Sequence, residues 1–147
     1  MFYSKPIKII LYIGVIFCTS LSEYDMVLEE DPQINRMVES MELFKMIGKN
    51  RWLSKKQLIL FMNKTDILKK KISCSPLTSC FPEYDGPNTY EGAVQFIQKS
   101  FVELHNEEDK NVFVHLTCAV DKECMQLVFD LISDIIITFN QKECSML

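Results

Sequence analysis

Leu58-Ile59-Leu60-Phe61-Met62-Asn63-Lys64-Thr65-Asp66 is an apolar run that stops abruptly in an N-K-x-D box. Consecutive apolar residues bounded by polar ones read as a buried strand, so the box is delivered at a strand's C-terminal end. The residue types suit one base. An Asp carboxylate accepts two parallel hydrogen bonds from the N1–H and N2–H₂ edge of guanine, an edge that adenine does not offer. Asp66 is the candidate specificity residue. Asn63 would brace the loop and reach the N7 side of the base, while the aliphatic stem of Lys64 would lie along the purine face with its ammonium in water.

A second strand, expected over 111–116, runs into Thr117-Cys118-Ala119 and then a long apolar helix. Small side chains at Cys118 and Ala119 leave the backbone open to close approach, so that the Ala119 N–H can meet guanine O6. Box and turn end successive strands and therefore share the C-terminal edge of a parallel sheet. The plainer alternative is a tight strand-to-helix turn filled with small residues.

The rest of the chain alternates strand and helix. A strand over 9–20 leads through an acidic loop (Glu23, Asp25, Glu29, Glu30, Asp31) to a helix with Asp31 as N-cap and Pro32 as its first residue. The stripe of that helix is Ile34, Met37, Met41 and Phe44, and Gly48 is its expected terminator. After the 58–62 strand come a short Lys-rich helix and a loop with Pro76, Pro82 and Pro87. Asn88 with Glu91 then makes a capping-box-like start to a helix whose inward face is Tyr90, Val94, Ile97, Phe101 and Leu104. The final helix, over 121–141, carries Met125, Val128, Phe129, Ile132, Ile136 and Phe139 at helical spacing. The order βαβαβα means an α/β fold, a mostly parallel sheet with helices on both faces.

Further stretches give the chain a family resemblance: Ile16-Phe17-Cys18, Leu21-Ser22-Glu23-Tyr24-Asp25, Asn35-Arg36-Met37 with Glu39-Ser40, Ser75-Pro76-Leu77-Thr78, and Phe81-Pro82-Glu83-Tyr84 with Gly86-Pro87-Asn88-Thr89-Tyr90-Glu91. With the box, the Thr117-Cys118-Ala119 turn, Val128-Phe129-Asp130, Asp134-Ile135-Ile136-Ile137 and Cys144, the sequence resembles the C-terminal half of a heterotrimeric G protein alpha subunit of the inhibitory/transducin class. The resemblance covers about 13–147, leaving 1–12 unmatched. It implies an incomplete Ras-like P-loop NTPase domain that binds GTP or GDP in receptor-coupled signalling. The implied partners are a G protein-coupled receptor, an effector such as adenylyl cyclase, and beta-gamma subunits, whose main contact regions this sequence lacks. The implied place is the cytoplasmic face of the plasma membrane. The tail Cys144, Ser145, Met146, Leu147 resembles the receptor-facing segment, with Cys144 where pertussis toxin modifies this class. At Ser145 the class places a glycine. The acidic stretch from Glu23 to Arg36 resembles the family's third switch, and a charged loop capping a helix is an equal account of it.

The four glycines, at 14, 48, 86 and 92, cannot form G-x-x-x-x-G-K-[ST]. The D-x-x-G loop, its glutamine, the arginine supplied in cis and the Mg²⁺-holding threonine loop are also missing, so neither a Mg²⁺ site nor a catalytic residue can be assigned. Catalysis in such enzymes is positioning and charge stabilisation around the γ-phosphate, and the sequence is expected to be inactive alone. With its terminal helix short of cover and its first strand a bare sheet edge, it is expected to be marginally stable.

Composition narrows the remaining classes. With 48% hydrophobic and 24% charged residues the chain can bury a modest core, and a net charge of −4 argues against a nucleic-acid partner. Lys69, Lys70 and Lys71 read as a solvated helix face. The six cysteines contain no C-x-x-C pair and read as reduced thiols; His105 reads as a surface residue and His115 as a strand residue. Phe2 stands where the family has its lipidated glycine. Two other readings stay open: a non-enzymatic receptor or effector binding module, and a secreted protein. For the latter, Lys5, Lys8, the apolar run over 9–18 and the small Thr19, Ser20 and Ser22 would form an N-terminal signal.

Overall fold

The computed structural model describes residues 7–10, 14–53, 56–105 and 112–118, with the separate positions 126, 129, 130, 132–134, 137 and 141. One sheet carries, in spatial order, β1 (Ile7–Ile10), β2 (Gly14–Ser20), β3 (Gln57–Asn63) and β4 (Val112–Leu116). β2, β3 and β4 are parallel, in the register Phe17↔Leu60 and Leu60↔Val114. Helices α1 (Arg36–Lys49), α2 (Thr65–Lys71) and α3 (Tyr90–Glu103) lie between the strands in sequence, so the expected α/β architecture is the observed one.

β2 and β3 bury both of their faces, with side chains alternating along each strand. Val15, Phe17, Leu58, Leu60 and Met62 point to the main core, where they meet Met37, Phe44 and Ile47 of α1 and Ala93, Val94, Ile97 and Phe101 of α3. The Phe44 ring packs edge-on against both Phe17 and Phe101, with centroids 5.2 and 5.3 Å away. Each large side chain so buried contributes about 1.5–3 kcal/mol. Ile16, Ile59 and Phe61 face the other way, against Ile132. The described positions of the expected terminal helix are helical, and among them Phe129 and Ile137 remain 60% and 53% exposed.

The structure corrects several expectations. The single strand over 9–20 is two strands, with β1 antiparallel to β2 through pairs such as Ile7↔Cys18 and Ile10↔Val15, so the edge of β2 is paired and not bare. An unbroken apolar run carried no mark of where one strand gives way to the next.

Helix α1 is capped by Asn35, not Asp31: its Oδ1 accepts from Met37 N (2.8 Å) and Val38 N (3.2 Å). Asp31 instead closes a local turn, accepting from Gln33 N, and Ile34 lies outside the helix. Gly48 does not terminate α1, which runs through Lys49 to an Asn50 cap. It is small because the His105 ring sits over it, and His105 is buried at 8% exposure, not on the surface. Thr89, one residue after Asn88, caps α3 by accepting from Gly92 N.

Candidate functional site

Parallel pairing levels the C-terminal ends of the strands: Ser20 pairs with Asn63, and Met62 with Leu116. Thr117 then laces the two expected recognition segments together. Its N–H donates to Met62 O (2.9 Å), and its own carbonyl accepts from Thr65 N and Thr65 Oγ1, both at 3.4 Å. Asn63, Lys64, Asp66 and Cys118 thus lie along one edge, as their spacing required. Ala119 and the tail residues Cys144, Ser145, Met146 and Leu147 lie outside the described residues.

Lys64 is the one residue other than glycine with positive φ among the described residues (φ 60°, ψ 39°). A lysine in that left-handed conformation costs about 1–2 kcal/mol. Two interactions offset the cost: Lys64 N donates to Asn63 Oδ1 (2.7 Å), and Lys64 Nζ donates to Glu23 Oε1 (3.2 Å). Asn63 therefore braces the turn through its own side chain. Asp66 follows in the first turn of α2, half-buried, and no described residue engages its carboxylate.

Glu23 is a residue that spacing alone did not single out. It is buried where the turn after β2 meets Lys64 and Arg36, whose Nη1 is 3.7 Å from Glu23 Oε2. The acidic stretch 23–31 was visible in the sequence, but only the sheet order shows which cations reach it. Lys71 corrects the reading of the 69–71 run as solvated. Its ammonium bonds Ser22 O (3.0 Å) and the Asp25 carboxylate and lies 5.7 Å from the centre of the Tyr24 ring, while Lys69 and Lys70 stay exposed. Between the 22–29 segment and α2 lies a cavity of about 700 Å³ with Glu23, Arg36, Lys64 and Lys70 on its walls.

Burial pushes the Cys80 thiol up to about 12, with the Glu83 and Asp25 carboxylates adding to the shift. Burial likewise raises Cys18 and lowers His115. Among the described residues no group of three or more His, Cys, Asp or Glu could hold a metal ion.

The sequence model of the G-protein alpha subunit matches residues 12–136. The chain belongs to the G-protein alpha subunit family. Membership gives the sheet its Ras-like identity and the chain a role in G protein signalling. Guanine-nucleotide binding is a general property of G-protein alpha subunits. This family also works with receptors, effectors and beta-gamma subunits at the membrane. No described helix of this G-protein alpha family member is long and apolar enough to cross one.

Proposed function

We propose that this chain carries the base-reading part of a G protein alpha subunit of the inhibitory/transducin class. Asp66 would accept from the guanine N1–H and N2–H₂ edge, Asn63 would hold the turn, and the Lys64 stem would flank the purine. Cys118 and Ala119 would bring the Ala119 N–H to O6. The observation that supports this reading most is the Asp66 carboxylate, half-buried at the sheet edge with no described partner. A carboxylate left open in this way can accept two parallel N–H groups of a ligand.

The phosphates are another matter. This sequence has no G-x-x-x-x-G-K-[ST] loop, so the same reading has it bind guanine weakly and hydrolyse no GTP by itself. The tail Cys144, Ser145, Met146, Leu147 is proposed as the receptor-facing element.

The test is a titration of the ¹⁵N-labelled chain with guanosine, xanthosine and adenosine. Guanosine alone should shift the Lys64 and Asp66 amides, and Asp66→Asn should move the preference towards xanthosine, whose 2-oxo group needs a donor opposite it. Equal shifts with all three nucleosides reject the reading.

A further inference from the structure

The end of α1 and the turn after it, over 51–53, bring cations and exposed apolar side chains together. Phe44, Ile47 and Gly48 face the core, so Lys45, Met46 and Lys49 share the opposite side of the helix. Met46 is 65% and Trp52 76% exposed, more than any other large hydrophobic residue described. Asn50 fixes the turn that presents the indole: its Oδ1 accepts from Trp52 N (2.9 Å), and its carbonyl accepts from Leu53 N (3.0 Å). The Arg51 guanidinium lies 5.3 Å from the centre of the Trp52 ring. From 43 to 56 the sequence holds Lys45, Lys49, Arg51, Lys55 and Lys56 and no acidic residue, although the chain as a whole has a net charge of −4. Lys45 Nζ lies 3.8 Å from Glu42, an exposed pair that holds the lysine only weakly.

We propose that this surface rests on an anionic phospholipid bilayer, with Trp52 and Met46 at the level of the headgroups and the surrounding cations against lipid phosphate and carboxylate groups. Exposed apolar side chains mark a contact without naming the partner, and the charge around them names it. A run of cations with no acid among them calls for a negative surface, and the amphipathic indole ring favours the boundary between water and lipid. Cations on two elements, a helix face and a turn, carried on long side chains, suit mobile headgroups. The contact lies along the bilayer, since no described helix is long and apolar enough to cross one. Its place also leaves the base edge open. β3 starts at Gln57, directly after the patch, and its length of about 20 Å of strand separates the patch from Asn63. The inference is independent of the guanine reading.

Trp52 is the single tryptophan of the chain, so its fluorescence reports the contact directly. With phosphatidylcholine vesicles that contain phosphatidylserine, the full chain should sediment and its emission should shift to the blue. Lipids brominated near the top of the acyl chains should quench that emission. Vesicles of phosphatidylcholine alone should do none of this, and high salt should release the chain. Lys45→Gln combined with Lys49→Gln should weaken binding about thirtyfold, as expected for two cations at a charged leaflet. Trp52→Ala should weaken it about tenfold in sedimentation. Lys69→Gln combined with Lys70→Gln, at exposed positions of α2, removes the same charge elsewhere and should change it less than about threefold. Emission unmoved by the anionic vesicles overturns the proposal and leaves the patch to a protein partner. Equal binding to vesicles without phosphatidylserine overturns it too. So does equal weakening by the two lysine pairs, because a general attraction, including that of an unfolded chain, would not tell the two positions apart.

Discussion

The His105 ring lies directly over Gly48, so that a Cβ added at position 48 would sit 2.5 Å from His105 Nδ1. The last turn of α1 meets the turn just past the end of α3 there, beside the Phe44 ring 6.2 Å from the imidazole. Gly48→Ala should therefore destabilise the fold by about 1–3 kcal/mol, despite alanine's better helix propensity. Chemical denaturation measures it, and combining Gly48→Ala with His105→Ala should recover part of the loss. A Gly48→Ala chain as stable as the original would show that the ring swings aside freely.

Asn35 and Asp31 offer a paired comparison. Asn35→Ala removes the Oδ1 acceptor of two α1 N–H groups and the Nδ2 bond to Tyr24 O, and should cost about 1–2 kcal/mol. Asp31→Ala removes one exposed turn bond and should cost less than about 0.5 kcal/mol. Thermal melts of the two variants should separate clearly, and the opposite order would return the cap to Asp31.

Cysteine reactivity should follow burial. Cys74 is exposed, whereas the Cys80 thiol is pushed up to about 12 and Cys18 is also raised by burial. Because the thiolate is the nucleophile, iodoacetamide at pH 8 should label Cys74 at least about tenfold faster than Cys80 in the folded chain. Peptide mass spectrometry reads the rates, and equal labelling would mean that Cys80 is not enclosed.

His115 sets a pH dependence of known sign. Burial between β3 and its surroundings holds its pKa below the ordinary histidine value, so the unfolded chain takes up the proton first as pH falls. Its contribution is complete above the unfolded value of about 6.5 and is lost as pH drops below it. The unfolding midpoint should fall between pH 7.5 and 5.5 by less in His115→Gln than in the original chain, and identical slopes would remove His115 from the account.

The proposed receptor-facing tail can be checked as a peptide. One covering Ile137 to Leu147 should compete weakly with a full-length inhibitory-class alpha subunit for an activated receptor. Ser145→Gly should tighten it about fivefold, the equivalent of about 1 kcal/mol, if the helix ends in a left-handed turn there. No competition by either peptide rejects the receptor-facing assignment.

What could be read from the sequence were the features whose cause is local. β3 announced itself by five apolar residues and a polar stop, and its position predicted which edge would hold Asn63, Lys64 and Asp66. The cap of α1 was misplaced because Asp31 and Asn35 are both good caps, and the Val27↔Asn35 bridge that favours the second forms between residues eight apart. The division of 7–20 into two strands also escaped, since β-branched residues fill both halves and only the antiparallel partner distinguishes them. Glu23 and Lys71 were visible as charges, but their roles depend on partners more than 40 positions away. His105 looked like a surface histidine because the glycine that receives it lies on another helix.

The lacing of Thr65 to Thr117 spans 52 positions, and the Lys64 to Glu23 contact spans 41. Every element of the base edge is thus assembled from chain ends that meet only after a long loop has closed, and parallel pairing offers no hairpin from which to begin. Contacts of such sequence separation are slow to form, so the edge should mature late, after helices α1 and α3 have taken shape. A nascent or refolding chain would pass through a period in which its helices are present but the proposed base site is not, and on that proposal nucleotide would be a ligand of the finished sheet alone. Added guanine nucleotide should then slow unfolding while leaving the initial rate of collapse untouched.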